Sequence, residues 1–269
     1  MKASIEDILQ RKGILLYGFC AFESVKERLI DCRAAARLPQ VPKTIIACLF
    51  PYQFADNSPR NLSRYACVPD YHRVIGDVLD DISKNLENVM GYTFTPFVDN
   101  SPIPEVYAAA LAGLGVIGDN GLLINETFGS YVFIGTIVTD APIDVTESHI
   151  KSCLHCGACE MACPTRALSA RKQSPDRFLC LSDISQRKGE LTAEEEKHLK
   201  NNGLLWGCDR CQEVCPLNKS AVCDPFCGFD SYLPWLEAIP PASELKNKPY
   251  GWRGEKVLQR NWQILYFQK

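Results

Sequence analysis

The chain has 269 residues, 46% of them hydrophobic, so it can bury a sizeable core without covalent staples. Its net charge is -3, divided as 12 Lys or Arg against 18 Asp or Glu over residues 1–150 and 17 against 14 over residues 151–269, a balance that argues neither for nor against a nucleic-acid partner. No stretch reaches the roughly 18 to 20 apolar residues of a membrane span, and the opening, with Lys2, Glu6 and Asp7, lacks the apolar run of a secretory signal, so a cytoplasmic protein with no membrane partner is expected.

Taken in chain order, Ser4 followed by Asp7 reads as the cap of an opening helix, and Ile14 to Cys20 as a strand. Val41 to Phe50 reads as a buried strand. Val74, Val78, Ile82 and Leu86 recur every four residues and predict a helix with one apolar face, a packing stripe rather than a cofactor signature. Val98-Asp99-Asn100-Ser101-Pro102 places an acid on a loop between a strand and a helix over Pro104 to Leu114. Asp99 has an ordinary alternative as a helix cap or Asx-turn residue. The run from Ala112 to Gly121 is glycine-rich, which permits turns or close backbone approach, yet it does not match a dinucleotide fingerprint. Tyr131 to Thr139 completes the first half as a strand.

The second half is dominated by cysteine. Cys153, Cys156, Cys159 and Cys163 precede Pro164 with the C-x2-C-x2-C-x3-C-P spacing that, in two-cluster ferredoxins, gives three thiolates to one [4Fe-4S] cluster and the fourth to its neighbour. Cys208, Cys211 and Cys215 precede Pro216, a run one cysteine short that Cys180 completes. The expected ligand sets are therefore crossed: Cys153, Cys156, Cys159 and Cys215 for one cluster, and Cys163, Cys180, Cys208 and Cys211 for the other. Four-thiolate zinc sites built from C-x2-C pairs are the alternative. Cys20, Cys32, Cys48 and Cys67 read as buried thiols, and Cys223 and Cys227 as bystanders, because eight ligands are already in hand. Leu191 to Leu205 reads as a solvated helix, Ser231 to Leu245 as a proline-rich connection, and Tyr250, Trp252, Arg253, Arg260 and Trp262 as a terminal element that packs on the core rather than a base-stacking platform.

On these residues the chain resembles the epoxyqueuosine reductase family. The resemblance runs from about Arg64 to Asn218 and is carried by Arg64-Tyr65-Ala66, Asp70-Tyr71-His72, the Val98 to Pro102 loop, the Ala112 to Asn120 run, Gly129 to Asp140 and both cysteine motifs. It implies a corrinoid such as cobalamin in the first domain and two [4Fe-4S] clusters in the second. It also implies Asp99 as proton donor, and cofactor or substrate contacts from Arg64, Tyr71, His72, Ser101, Gly115, Gly118 and Asn120, with His72 not ligating cobalt. Electrons from reduced flavodoxin, ferredoxin or a similar donor would reach the corrinoid, and the substrate would be an epoxide in a queuosine-related tRNA base. For Asp99 to act as an acid, its pKa should be raised by burial. Three departures bear on the activity: Asp119 stands where members commonly have Lys, the chain continues Pro104-Glu105-Val106 where an Arg is expected shortly after the family's glutamate, and the chain ends at Lys269, before the helical repeats associated with tRNA recognition. A non-catalytic iron-sulfur electron carrier is the competing reading.

The expected architecture is α+β. A mixed α/β sandwich-like corrinoid-binding domain occupies residues 1–147, a ferredoxin-like two-cluster domain residues 148–235, and an extension packing on the core residues 236–269.

Overall fold

A computed structural model describes residues 1–145, 149–169 and 175–267; the expected boundary near residue 148 lies outside them. Helix α1 (Lys2–Arg11) starts ahead of Ser4, with Met1 at its cap and no side-chain capping bond. Burial of Ile5 and Leu9, one turn apart, fixes this helix instead. Gly13, at φ 76, ends it. Strand β1 (Tyr17–Ala21) begins three residues later than expected, after a crossing segment in which Ile14 is buried and Leu15 exposed.

The chain continues through β2 (Thr44–Pro51), α2 (Tyr71–Met90), β3 (Phe94–Val98), α3 (Glu105–Leu111), the two-residue strands β4 (Val116–Ile117) and β5 (Leu123–Ile124), and β6 (Val132–Thr139). The main sheet is antiparallel throughout, in the order β1-β2-β6-β3. Every residue of β2 is buried, as a central strand covered on both faces requires. Helix α2 lies on one face and α3 on the other, giving three layers.

The buried face of α2 is Ile75, Leu79, Ile82 and Leu86; the expected Val74 and Val78 sit at its edge. A strict four-residue repeat advances about 40° per step on a helix of 3.6 residues per turn, whereas the observed 4-3-4 spacing stays on one line. Gly135 lets α2 approach, since a Cβ there would come within 2.6 Å of the Leu79 side chain.

Short helices follow: α4 (Ala158–Ala162), α5 (Leu181–Gln186), α6 (Ala193–Asn202) and α7 (Arg210–Glu213). Helix α6 carries a complete capping box, Thr192 with Glu195, and ends on Gly203 at φ 74. The proline-rich connection closes on a one-turn helix, α8 (Ala242–Leu245), before α9 (Glu255–Tyr266). In α9 Val257, Leu258, Asn261 and Ile264 are buried, and the Arg260 guanidinium donates to the carbonyls of Ser185, Arg187 and Gly189.

The halves share cores. Phe226 and Phe229 join the cluster beneath α2, while Leu62, Ala66 and Cys67 pack with Trp206, Leu236 and Tyr250. Arg60 reinforces this contact through an ion pair to Asp209, between Cys208 and Cys211, and another to Glu213. The cysteine-bearing segment is thereby held against the loops at the C-terminal end of β2. Among the described residues, no helix is long and apolar enough to cross a membrane.

Candidate functional site

Asp99 is the first residue after β3 and takes φ 59, a left-handed conformation that Asp tolerates better than most residues. Ser101, two residues on, accepts the Ile103 N–H through its Oγ and so tightens the same turn. Across from this loop, Asp70 caps α2 by accepting the His72 N–H. The cap places the His72 ring between two acids, with Nδ1 2.8 Å from Asp70 Oδ1 and Nε2 3.0 Å from Asp99 Oδ2. The Tyr71 hydroxyl donates to the same Asp99 oxygen at 3.2 Å.

This constellation sets three charge states. The hydrogen bond from His72 outweighs burial and holds the Asp99 carboxyl below its ordinary range, the reverse of the expected upward shift. Burial opposes the His72 cation, but hydrogen bonds and charges from Asp70 and Asp99 together raise its pKa to about 9. Beneath them Glu105 is raised well above the ordinary value, first by burial and then by the charge of Asp99, and its Oε1 has no hydrogen-bond partner. Two neighbouring carboxyls are thus pushed in opposite directions, the condition under which one site can both store and deliver protons. The expectation overlooked the basic partner, because His72 lies 27 positions from Asp99 in the chain.

An aromatic run leads away from Asp99. Tyr71 stacks on Phe133 with centroids 4.1 Å apart, Phe133 meets Tyr52 at 4.5 Å, Tyr52 meets Tyr131 edge-on, and the Arg64 guanidinium lies 5.7 Å from the Tyr131 centroid. Arg64 Nε, and Gln53 Oε1 next to Tyr52 in the chain, are buried without hydrogen-bond partners. The run ends on the cysteine segment, where the Tyr52 hydroxyl donates to Gln212 Oε1 in α7. On the other side Arg177 is close enough to Asp99 to help lower its pKa.

The cysteines assemble as two groups. One cavity is lined by Cys153, Cys156, Cys159 and Cys215, together with Gly118, Asp119 and Asn120. Helix α4, carrying Cys159, packs on α7, carrying Cys211. Cys208 lies within electrostatic reach of Cys180 and Cys163, and Cys211 of Cys208 and Cys180. Burial pushes the Cys208 and Cys211 thiols up to about 12, so a ligand that takes them as thiolates must displace their protons.

The glycine-rich segment serves this packing. A Cβ on Gly115 would collide with the Ile124 carbonyl, and one on Gly118 with Asn120 Oδ1. Asn120 itself accepts the Leu122 N–H and hydrogen-bonds Cys211. Structure therefore brings Tyr71, His72 and Asp99 together, links Arg64 to them through the ring run, places Gly118 and Asn120 at the cysteines, and commits Ser101 and Gly115 to local turns and packing. Asp119 Oδ1 lies 2.8 Å from His155 Nδ1, and with Cys153 these residues bring ligand atoms within 4.8 Å of one another. A carboxylate-imidazole pair thus occupies the rim where the family resemblance implied a cation.

Comparison with known proteins bears on the family and the fold. Residues 152–218 match the family described as "4Fe-4S double cluster binding domain", and residues 32–100 the one described as "Epoxyqueuosine reductase QueG, DUF1730". The epoxyqueuosine reductase of Lactococcus garvieae is 33% identical over 220 residues, covering 75% of this chain and 60% of that protein. That of Vibrio cholerae is 34% identical, with 72% and 54% covered, so this chain spans little more than half the length of such relatives. The structure of epoxyqueuosine reductase from Streptococcus thermophilus superposes with a TM-score of 0.82 over 98% of this chain and 80% of that one, at 24% identity. An epoxyqueuosine reductase solved with an epoxyqueuosine-modified tRNA-Tyr stem loop superposes at 0.79, with the same identity and coverage. These superpositions establish the mixed α+β fold.

Proposed function

We propose that this chain, which is similar in sequence to epoxyqueuosine reductases over about 60% of their length, is a corrinoid-dependent iron-sulfur reductase removing the oxygen of an epoxide, with epoxyqueuosine in tRNA as the leading substrate. The observation that carries this reading is the position of the Asp99 constellation, set on an aromatic face that ends at two groups of four cysteines. An electron carrier alone has no use for an acid and an imidazole placed there.

The cysteine groups fit two [4Fe-4S] clusters: Cys153, Cys156, Cys159 and Cys215 share one cavity, while Cys208 lies near Cys163 and Cys180, and Cys211 near Cys208 and Cys180. The aromatic face fits a corrinoid, whose flat apolar ring carries peripheral amides suited to the orphaned Arg64 Nε and Gln53 Oε1. Tyr71, His72 and Arg64 would hold it. When bound, the corrinoid supplies a strongly reducing cobalt centre.

The remaining work belongs to the chain. Asp99, with its side chain 63% exposed, can meet a substrate oxygen and hand it a proton as the C–O bond opens, relieving alkoxide charge. Tyr71 and His72 fix the rotamer of Asp99 from two directions. The fused cores keep the cysteine segment at constant distance, as electron transfer to a buried site requires. Reduced flavodoxin, ferredoxin or a similar one-electron donor would supply the cysteine-held clusters. Residues 1–147, 148–235 and 236–269 serve as the catalytic, cluster and covering parts of this assembly.

The test is turnover of an epoxyqueuosine-containing tRNA stem loop by cluster-replete, cobalamin-loaded protein, followed by nucleoside mass spectrometry. The reading requires queuosine as product and a loss of about 100-fold or more in D99N with iron content unchanged. No product from any queuosine-related epoxide would overturn it.

A further inference from the structure

Both ring nitrogens of His72 point at carboxylate oxygens, 2.8 Å to Asp70 and 3.0 Å to Asp99. Ionised carboxylates only accept hydrogen bonds, so both nitrogens must donate, and the ring that satisfies both contacts is the imidazolium. Asp99 accepts from Tyr71 as well, which further favours its anion. The acid nearest the substrate therefore rests without its proton, and that proton sits one hydrogen bond away.

We propose that His72, held by Asp70, is the proton store of the site, and that Asp99 is the catalytic residue through which its protons reach the substrate. This rests on the reductase reading and deepens it. Converting an epoxide to an alkene consumes two electrons and two protons and releases water. The one-electron donor supplies the electrons in two steps. As the first C–O bond breaks, the Nε2 proton of His72 moves to Asp99 Oδ2 and the Asp99 proton to the epoxide oxygen, leaving a hydroxyl on the neighbouring carbon. His72, 39% exposed, is reprotonated from solvent. A second proton by the same path leaves with the hydroxyl as water while the alkene forms.

The surroundings suit this role. The charged or titratable groups facing His72 are Asp70 and Asp99 in contact, the Tyr71 ring stacked on it at 4.0 Å, and Glu105 beneath. Arg177 acts on the far side of Asp99. Burial pushes the Glu105 carboxyl well above its ordinary range, which disfavours a third anion beside the imidazolium. Asp70 acts only through His72 and is a positioning residue.

The test needs no turnover. In cluster-replete, corrinoid-free protein, proton NMR of the four histidines is followed against pH, with His72 identified by the signal lost in H72Q. The expected midpoint is near 9, falling by more than one unit in D70N. A wild-type midpoint at or below about 6.5, the free imidazole value, would overturn the proposal, as would a midpoint unmoved by D70N. With the loaded enzyme, D70N should move the alkaline limb of the kcat profile to lower pH, costing about 10-fold at pH 8 and little at pH 6. A uniform loss across pH would mark a merely structural role and also overturn it. Failure of the reductase reading appears as absence of product, and failure of the relay as a normal histidine titration.

Discussion

Arg60 is the residue through which the first half of the chain holds the second cysteine run. Its side chain is 14% exposed and pairs with Asp209, 1% exposed, and with Glu213, 33% exposed. R60M keeps the apolar stem and removes the charge. Asp209 then retains the Arg64 N–H at 2.9 Å, while its Oδ1, already without a partner, stays buried beside an uncompensated charge. Breaking a buried pair from one side costs about 3–5 kcal/mol, and the surviving hydrogen bond points to the lower end, about 3. D209N should cost less, about 2 kcal/mol, because Arg60 keeps Glu213. The two changes remove one shared interaction, so R60M/D209N should fall short of their sum by at least about 1 kcal/mol. Urea unfolding of cluster-replete protein reads this as a midpoint lowered by about 1 M for R60M, taking a slope of about 3 kcal/mol per M for a chain of this size. Iron should also leave the variant faster, because Asp209 separates Cys208 from α7. A cost below 1 kcal/mol, or strict additivity, would refute this account of how the halves are joined.

Other changes test different parts of the structure. Gly207 sits at φ 79, and a Cβ there would land on Ser63 Oγ, so G207A should lose about 2 kcal/mol or more and bind iron substoichiometrically at the adjacent Cys208 group. Asn218 donates to Ser130 Oγ and the Gln212 carbonyl and accepts from the Ser130 N–H; N218A should lower the thermal midpoint through a loss of about 2–3 kcal/mol. Because His72 titrates near 9 when folded against about 6.5 unfolded, its contribution to stability is complete below 6.5 and fades as pH rises through 9. At 39% exposure it should amount to about 1 kcal/mol or less, and H72Q should flatten the decline in urea midpoint over that interval. Cys223 and Cys227 are both exposed, and C223S/C227S should keep the wild-type iron and sulfide content; a loss of four irons would place one of them in a ligand set.

Local patterns carried much of this structure into the sequence. Strands β2 and β6 were readable because buried apolar runs bounded by turn residues permit few alternatives, and α6 because the charged run over Glu194 to Lys197 suits a solvated helix. The cluster-binding character of the cysteine runs was legible for the same reason, since ligand spacing within one loop is a local constraint. The α2 face was offset because four valid apolar positions fit a four-residue count as easily as the helical one. The charge on Asp99 was not legible, since it depends on His72 and Tyr71 arriving from another element. Nor was the Arg60 to Asp209 pair, 149 positions apart. Ser101 and Gly115 illustrate the converse: residues in a functional-looking run can be required simply because a turn must close or two backbones must meet.

Corrinoid binding tests the central claim most directly. Anaerobically reconstituted, cluster-replete protein should take up one cobalamin per chain, with the visible spectrum of the cofactor altered on binding and the affinity weakened in R64A. Failure to bind any corrinoid in protein that retains both clusters would contradict the account and leave an iron-sulfur electron carrier in its place.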